Sequence, residues 1–201
     1  MRAIFLLFLF AAACSGKEAI PLVHDGDVIF QTSLSSQSLA IQRATSSRYS
    51  HMGLVFLRNG DPYVLEASAT VRYTPLEKWI RRGAGHRYEL KRLRDAATLL
   101  TPPNILKLRR TAEGFLGRPY DLTFDWSDER MYCSELVWKS YDRALGVQIG
   151  DLQKVRDFNL TDAVVQLKMR ERYGTNVPLD APVISPVAME QSTLLLTVAE
   201  R

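Results

Sequence analysis

The chain has 201 residues, a net charge of +4 and 46% hydrophobic residues. That share is ample for a packed core without disulfide staples, and so mild a charge does not point to nucleic acid as a partner. Only two cysteines occur. No zinc-ligand spacing and no phosphate-cradling glycine loop is present, so neither a metal nor another cofactor is expected.

Met1-Arg2 is a short positive start, Ala3 to Phe10 is an apolar run, and Ala11-Ala12-Ala13 offers a small-residue cleavage site before Cys14. So short a run cannot span a bilayer, which takes roughly 20 residues. Residues 1–13 therefore read as a signal peptide. Small residues directly before a cysteine also resemble a bacterial lipobox, although Ala11 stands where that pattern prefers Leu. Cys14 is thus expected as a lipid-bearing mature N-terminus, and the protein as exported, either periplasmic or membrane-anchored. The rest, 21–201, is the size of one domain. Its basic clusters, Arg81-Arg82, Arg87 to Arg94 and Lys107 to Arg110, are interrupted by apolar residues and read as solvated faces.

In chain order, Gly26-Asp27-Val28-Ile29-Phe30 predicts a turn and a short buried strand. Leu39 to Thr45 looks helical. Met52 to Leu57 and Tyr63 to Ala67, apolar runs around Arg58-Asn59-Gly60-Asp61-Pro62, predict an antiparallel hairpin. Ala69 to Tyr73 adds a strand. Thr74-Pro75-Leu76-Glu77 predicts a helix start with Thr74 as cap and Pro75 at the first helical position. That helix stops at Gly83, and His86 to Leu93 resumes as a strand. Helices are expected over Pro103 to Phe115, Tyr132 to Leu145 (closed by Gly146) and Asp162 to Tyr173, and a last strand over Thr193 to Val198. The aromatic and acidic stretch Tyr120 to Arg130 is a loop. Strands grouped early and helices late point to an α+β fold.

An exported protein usually carries cysteines in pairs or not at all. Cys133, in Met131-Tyr132-Cys133-Ser134-Glu135, is a single mature thiol at a helix N-terminus, where the positive end of the macrodipole favours thiolate. A nucleophile is the most economical reason for it. The alternative is a small buried core residue. A thiolate needs an imidazole nearby, and the chain has three histidines. His24 lies just past the leader, and His86 sits in a cationic glycine turn. His51 opens an apolar strand that would fix its ring. Glu66 ends the partner strand, so the hairpin sets it beside His51 as orienting carboxylate. Asp27 and Tyr132 are weaker candidates for substrate or oxyanion contact. The backbone N–H of Cys133 is the stronger oxyanion donor. Asp121, Asp125, Asp128 and Glu129 match no calcium loop and read as a solvated acidic cluster.

Five segments in order, Gly26 to Phe30, Ser50-His51-Met52-Gly53-Leu54-Val55, Val64-Leu65-Glu66-Ala67, Gly117-Arg118-Pro119-Tyr120-Asp121 and Met131 to Val137, resemble the permuted papain-like amidases of the YaeF/YiiX type, distant relatives of the NlpC-type cell-wall hydrolases. The resemblance implies a circularly permuted papain-like fold, an antiparallel sheet packed against the cysteine-bearing helix, with histidine ahead of cysteine in the chain. It puts thiol, base and orienting carboxylate on Cys133, His51 and Glu66, the three that the residues themselves single out.

The expected chemistry is hydrolysis of an amide or peptide bond in a cell-envelope peptide or lipid through a thioester. Acyl transfer or lipid hydrolysis on the same fold is the alternative, and a non-catalytic envelope lipoprotein that binds peptide or lipid is another. A redox thiol lacks a resolving cysteine in the mature chain. Apolar walls beside Cys133 would favour a lipid substrate, and an open groove with polar anchors a peptide.

Overall fold

The computed structural model describes residues 21–201. The signal peptide expected over 1–13 and the lipidation expected at Cys14 lie outside the described residues. The strands are β1 (Val28–Gln31), β2 (His51–Arg58), β3 (Asp61–Ala67), β4 (Val71–Pro75), β5 (Glu89–Leu93), β6 (Gln153–Lys154), β7 (Pro182–Val183) and β8 (Leu195–Glu200). The helices are α1 (Ser38–Thr45), α2 (Leu76–Arg82), α3 (Ala96–Leu99), α4 (Pro102–Glu113), α5 (Cys133–Leu145), α6 (Ala163–Tyr173) and α7 (Pro186–Glu190).

Six strands form one antiparallel sheet in the order β4-β3-β2-β1-β5-β8, and β6 pairs with β7 apart from it. The alternation of the strands sorts their side chains onto two faces. Val28, Phe30, Leu54, Phe56, Leu65 and Ala67 share a core with α4 and α5. Ile29, Val55, Val64 and Leu90 share a smaller one with Leu76, Trp79 and Ile80 of α2. Every position of β1 is buried, as a central strand covered on both faces requires. This is the expected α+β arrangement.

The β2–β3 turn is Asn59-Gly60, with φ of 53° and 87°. Positive φ at both central positions is the type I′ geometry that matches strand twist, and it fixes the hairpin register at Leu54 opposite Leu65. Helix α5 ends at Gly146 with φ 68°, a left-handed C-cap. Asp162 caps α6 by accepting from the backbone N–H of Val164 at 2.9 Å.

Three local readings are corrected. Thr74 and Pro75 belong to β4, and Pro75 is the N-cap of α2 with no side-chain cap, because the Thr74 hydroxyl is drawn inward to a buried carboxylate. His86 sits in a single 3-10 turn with φ 54°, so β5 begins only at Glu89. Asp121 is fully buried. It accepts from the Thr123 N–H and Oγ1, both at 2.8 Å, and from the Asp125 N–H, so it caps its own loop instead of meeting solvent.

Candidate active site

His51 is the first residue of β2, and the β2–β3 register continued by one residue sets Glu66 opposite Gly53. Glu66 therefore lies on the same face as His51, one diagonal away. Position 53, between them, admits only glycine without a shift, since a Cβ there would stand 2.4 Å from Val64 Cγ1 and 2.9 Å from the Leu65 carbonyl oxygen. His51 Nε2 donates to Glu66 Oε2 at 2.6 Å. Its ring stacks on Trp79 of α2, centroids 5.9 Å apart and planes 25° off parallel.

Glu66 is fully buried and saturated with donors. Thr74 Oγ1 donates to Oε1 at 2.6 Å, and Trp79 Nε1 donates to Oε2 at 3.1 Å. The Arg82 guanidinium donates to Oε2 as well. Burial pushes this carboxyl up, but the hydrogen bond and charge of His51, then those of Arg82, outweigh it and hold Glu66 near 2 instead of 4.5. A charged carboxylate is thus locked under the imidazole.

Cys133 enters from the other layer, as the first residue of α5. It is a free cysteine, nearly buried. It lies near enough to His51 to be the strongest influence raising the imidazole's titration. With Nε2 committed to Glu66, Nδ1 is the ring nitrogen left to face the sulfur. Burial pushes His51 down, yet the interactions with Cys133 and then with Glu66 raise it from 6.5 to about 9. An imidazolium at neutral pH, held against sulfur by a carboxylate behind it, is the arrangement that activates a cysteine nucleophile. The amides of the first turn of α5 have no intrahelical acceptors, so they can donate to an oxygen placed beside the sulfur.

The two weaker sequence candidates fall differently. Tyr132 is the N-cap of α5. Its N–H donates to Glu135 Oε2 at 3.3 Å, and its hydroxyl accepts from the Ile184 N–H at 3.1 Å. It lines a cavity beside Cys133. Asp27 lines neither of the cavities that Cys133 and His51 face. It is fully buried and accepts from Arg92 Nε and Nη2 at 2.6 and 2.7 Å, and from the His24 N–H at 2.8 Å. Its carboxylate ties β1 to β5. His24 and His86 line neither cavity.

Thr74, Trp79, Arg82 and Tyr120 went unread in the sequence as parts of the site. Trp79 and Arg82, three apart on a helix, share a face, and that face points back at β3. This was the available signal, hidden because Arg82 reads as one of a solvated basic pair. Tyr120 lines both cavities. It sits in a loop, where no periodicity marks orientation.

Residues 22–197 match the family model described as permuted papain-like amidase enzyme, YaeF/YiiX, C92 family. The chain is 49% identical over 175 residues to the protein YiiX of Escherichia coli strain K12, covering 87% of this chain and 85% of the relative. It is also similar to the crystal structure of YiiX from Escherichia coli O157:H7, described as a metalloprotein. There the TM-score is 0.85 at 48% identity, covering 89% of this chain and 97% of that one.

Proposed function

Because this chain belongs to the permuted papain-like amidases of the YaeF/YiiX type, we propose that it hydrolyses an acyl bond with Cys133 as nucleophile, His51 as acid–base and Glu66 as the group that orients and charges His51. The observation that carries this reading is the 2.6 Å hydrogen bond from His51 to the buried Glu66, with Cys133 at the start of α5 near enough to His51 to raise its titration.

With the Cys133 proton already on His51 Nδ1, the thiolate attacks the substrate carbonyl carbon, forming an S–C bond. The developing oxyanion is met by amides of the first turn of α5. Collapse breaks the C–N or C–O bond, and the leaving group departs with the proton from His51. Water, deprotonated by His51, then attacks the thioester, releasing the carboxylic acid and restoring the thiol. Among the described residues no group of three His, Cys, Asp or Glu side chains converges to hold a metal ion. The YiiX structure is described as a metalloprotein, but the described part of this chain offers no such ligand set, and no step here runs through a metal.

The N-terminal run ending in Ala-Ala-Ala-Cys supports export, with Cys14 as a lipid anchor that would hold the site at a membrane surface. A cell-envelope amide or ester is the substrate class this favours.

Alkylation by iodoacetamide at pH 6, followed by mass spectrometry of the Cys133 peptide, tests the assignment. The native protein is expected to react at least tenfold faster than His51→Ala, since an unactivated thiol with pKa about 8.5 is almost wholly protonated there. Slow labelling that His51→Ala leaves unchanged would instead describe a non-catalytic binding protein.

A further inference from the structure

Cys133 stands in the wall of a cavity of about 100 Å³ that is partly open to solvent. Its walls come from α1, α6, the loop before α6 and the β7 segment, through Ile41, Phe158, Val165, Met169, Val183 and Ile184 among others. No charged side chain lines it.

The few polar side chains in the wall are each bonded within the protein. Thr45 Oγ1 donates to the Ile41 carbonyl at 2.8 Å, and Ser134 Oγ to the Ile184 carbonyl at 2.7 Å. Tyr173 donates to the Thr123 carbonyl. Ser185 Oγ caps Ala188 and bonds Gln153. Tyr132 accepts from Ile184, and Tyr120 accepts from Gln37 Nε2 at 2.7 Å. A guest with polar groups would desolvate them here with few partners on offer, whereas a hydrocarbon loses nothing.

The other side of the site is different. His51 faces an open groove whose lining mixes Ser33, Gln37, Ser68 and Arg82 with Leu34 and Leu122. Ser68 Oγ is buried there with no hydrogen-bond partner. Tyr120 stands between the two spaces as a wall of both.

We propose that the substrate is an N- or O-acyl amphiphile whose aliphatic acyl chain enters the apolar cavity while its polar leaving group lies in the His51 groove. This rests on the thioester chemistry above and names its substrate class. The carbonyl is attacked at the mouth of the cavity, the bond to the polar nitrogen or oxygen breaks, His51 protonates the departing amine or alcohol, and the acyl chain stays seated as a thioester on Cys133 until water releases it as a fatty acid.

The test is acylation of Cys133 by p-nitrophenyl esters of straight-chain acids from two to twelve carbons, below their critical micelle concentrations. It is read as a nitrophenolate burst and as the mass gained on the Cys133 peptide. The second-order rate is expected to rise up to about fourfold for each methylene the cavity holds, exceeding hundredfold between two and ten carbons. Ala44→Trp, which intrudes on the cavity from a half-buried position on α1, should cut the ten-to-two-carbon ratio at least tenfold, and Met169→Trp is the second variant should the first misfold. A flat series, or one that levels off by four carbons as a pocket for a peptide side chain would, overturns the proposal. Acylation at no length overturns it too. Iodoacetamide labelling of the same samples separates the two failures: fast labelling that depends on His51 leaves the thioester chemistry standing, and its absence removes both.

Discussion

Glu66→Gln isolates the charge behind His51 from the shape that holds it. Glutamine is isosteric, and turned so that its oxygen meets His51 Nε2–H, Trp79 Nε1–H and Arg82, it offers its amide to Thr74 Oγ1, which can accept. The geometry in place of the native 2.6 Å contact is therefore retained while the carboxylate charge is removed. A hydrogen bond to a charged group is worth about 1.5–3 kcal/mol, and ~1.4 kcal/mol moves a titration tenfold. The His51 titration should thus fall from about 9 to roughly 7–8. At pH 8 the imidazolium, and with it the acid that protonates the leaving group, drops about two- to tenfold; at pH 6 it changes little. The direct assay is the NMR titration of the imidazole C–H resonances. Only three histidines are present, and the His51 signal is assigned by its loss in His51→Ala. A native midpoint near or below 6.5, or a midpoint near 9 that the substitution leaves in place, would refute the view that Glu66 sets the charge state of the base.

Asp27→Ala distinguishes the structural role of that carboxylate from a substrate contact. It strands Arg92, which is partly exposed, so the loss should be at the low end for a broken buried pair, about 3 kcal/mol. That lowers Tm by roughly 6–12 °C with the Cys133 labelling rate unaltered; slowed labelling without loss of stability would return Asp27 to the site. A second expectation concerns pH. Glu66, lowered to about 2, contributes stability that is complete above 4.5 and lost as pH falls through 2. His51, raised to about 9, contributes stability that is complete below 6.5 and lost as pH rises through 9. The excess of native over His51→Ala in thermal unfolding should accordingly be largest between pH 4.5 and 6.5 and shrink toward pH 10. A difference that stays constant would count against the charged pair.

Much of the fold is legible because its elements carry local signals. Asn59-Gly60 specifies the hairpin turn, Gly146 ends α5, Asp162 starts α6, and alternating apolar residues assign the faces of β2 and β3. Where a local signal competes with a distant partner, the partner wins. Thr74 has the spacing of a helix cap, yet a buried carboxylate eight residues earlier draws its hydroxyl away. Leaving Glu66 Oε1 without that donor would cost more than a missing cap, because an unmet charged group in the interior is penalised by several kcal/mol and a lost cap by about 1. Arg82 follows the same rule: it looks solvent-bound, but Glu66 needs a countercharge.

The same competition explains which half of the site could be read in advance. The placement of Cys133, His51 and Glu66 is legible because each sits at a strand or helix terminus, and hairpin register alone brings His51 and Glu66 together. The apolar cavity beside Cys133 was not legible. Its walls come from α1, the loop before α6, α6 and β7, segments spread from Ile41 to Pro186, and the β6–β7 pairing that carries part of it is two residues long. No period in the sequence announces a surface assembled from such pieces. What gives the cavity its chemistry is also invisible there: its wall carries the hydroxyls of Thr45, Tyr120, Tyr132, Ser134, Tyr173 and Ser185. Only the hydrogen bonds reveal that the hydroxyls serve the protein's own backbone and side chains. Because most of those hydroxyls are already engaged within the protein, the proposed seat for a hydrocarbon beside Cys133 rests on its hydrogen bonds as much as on its apolar residues.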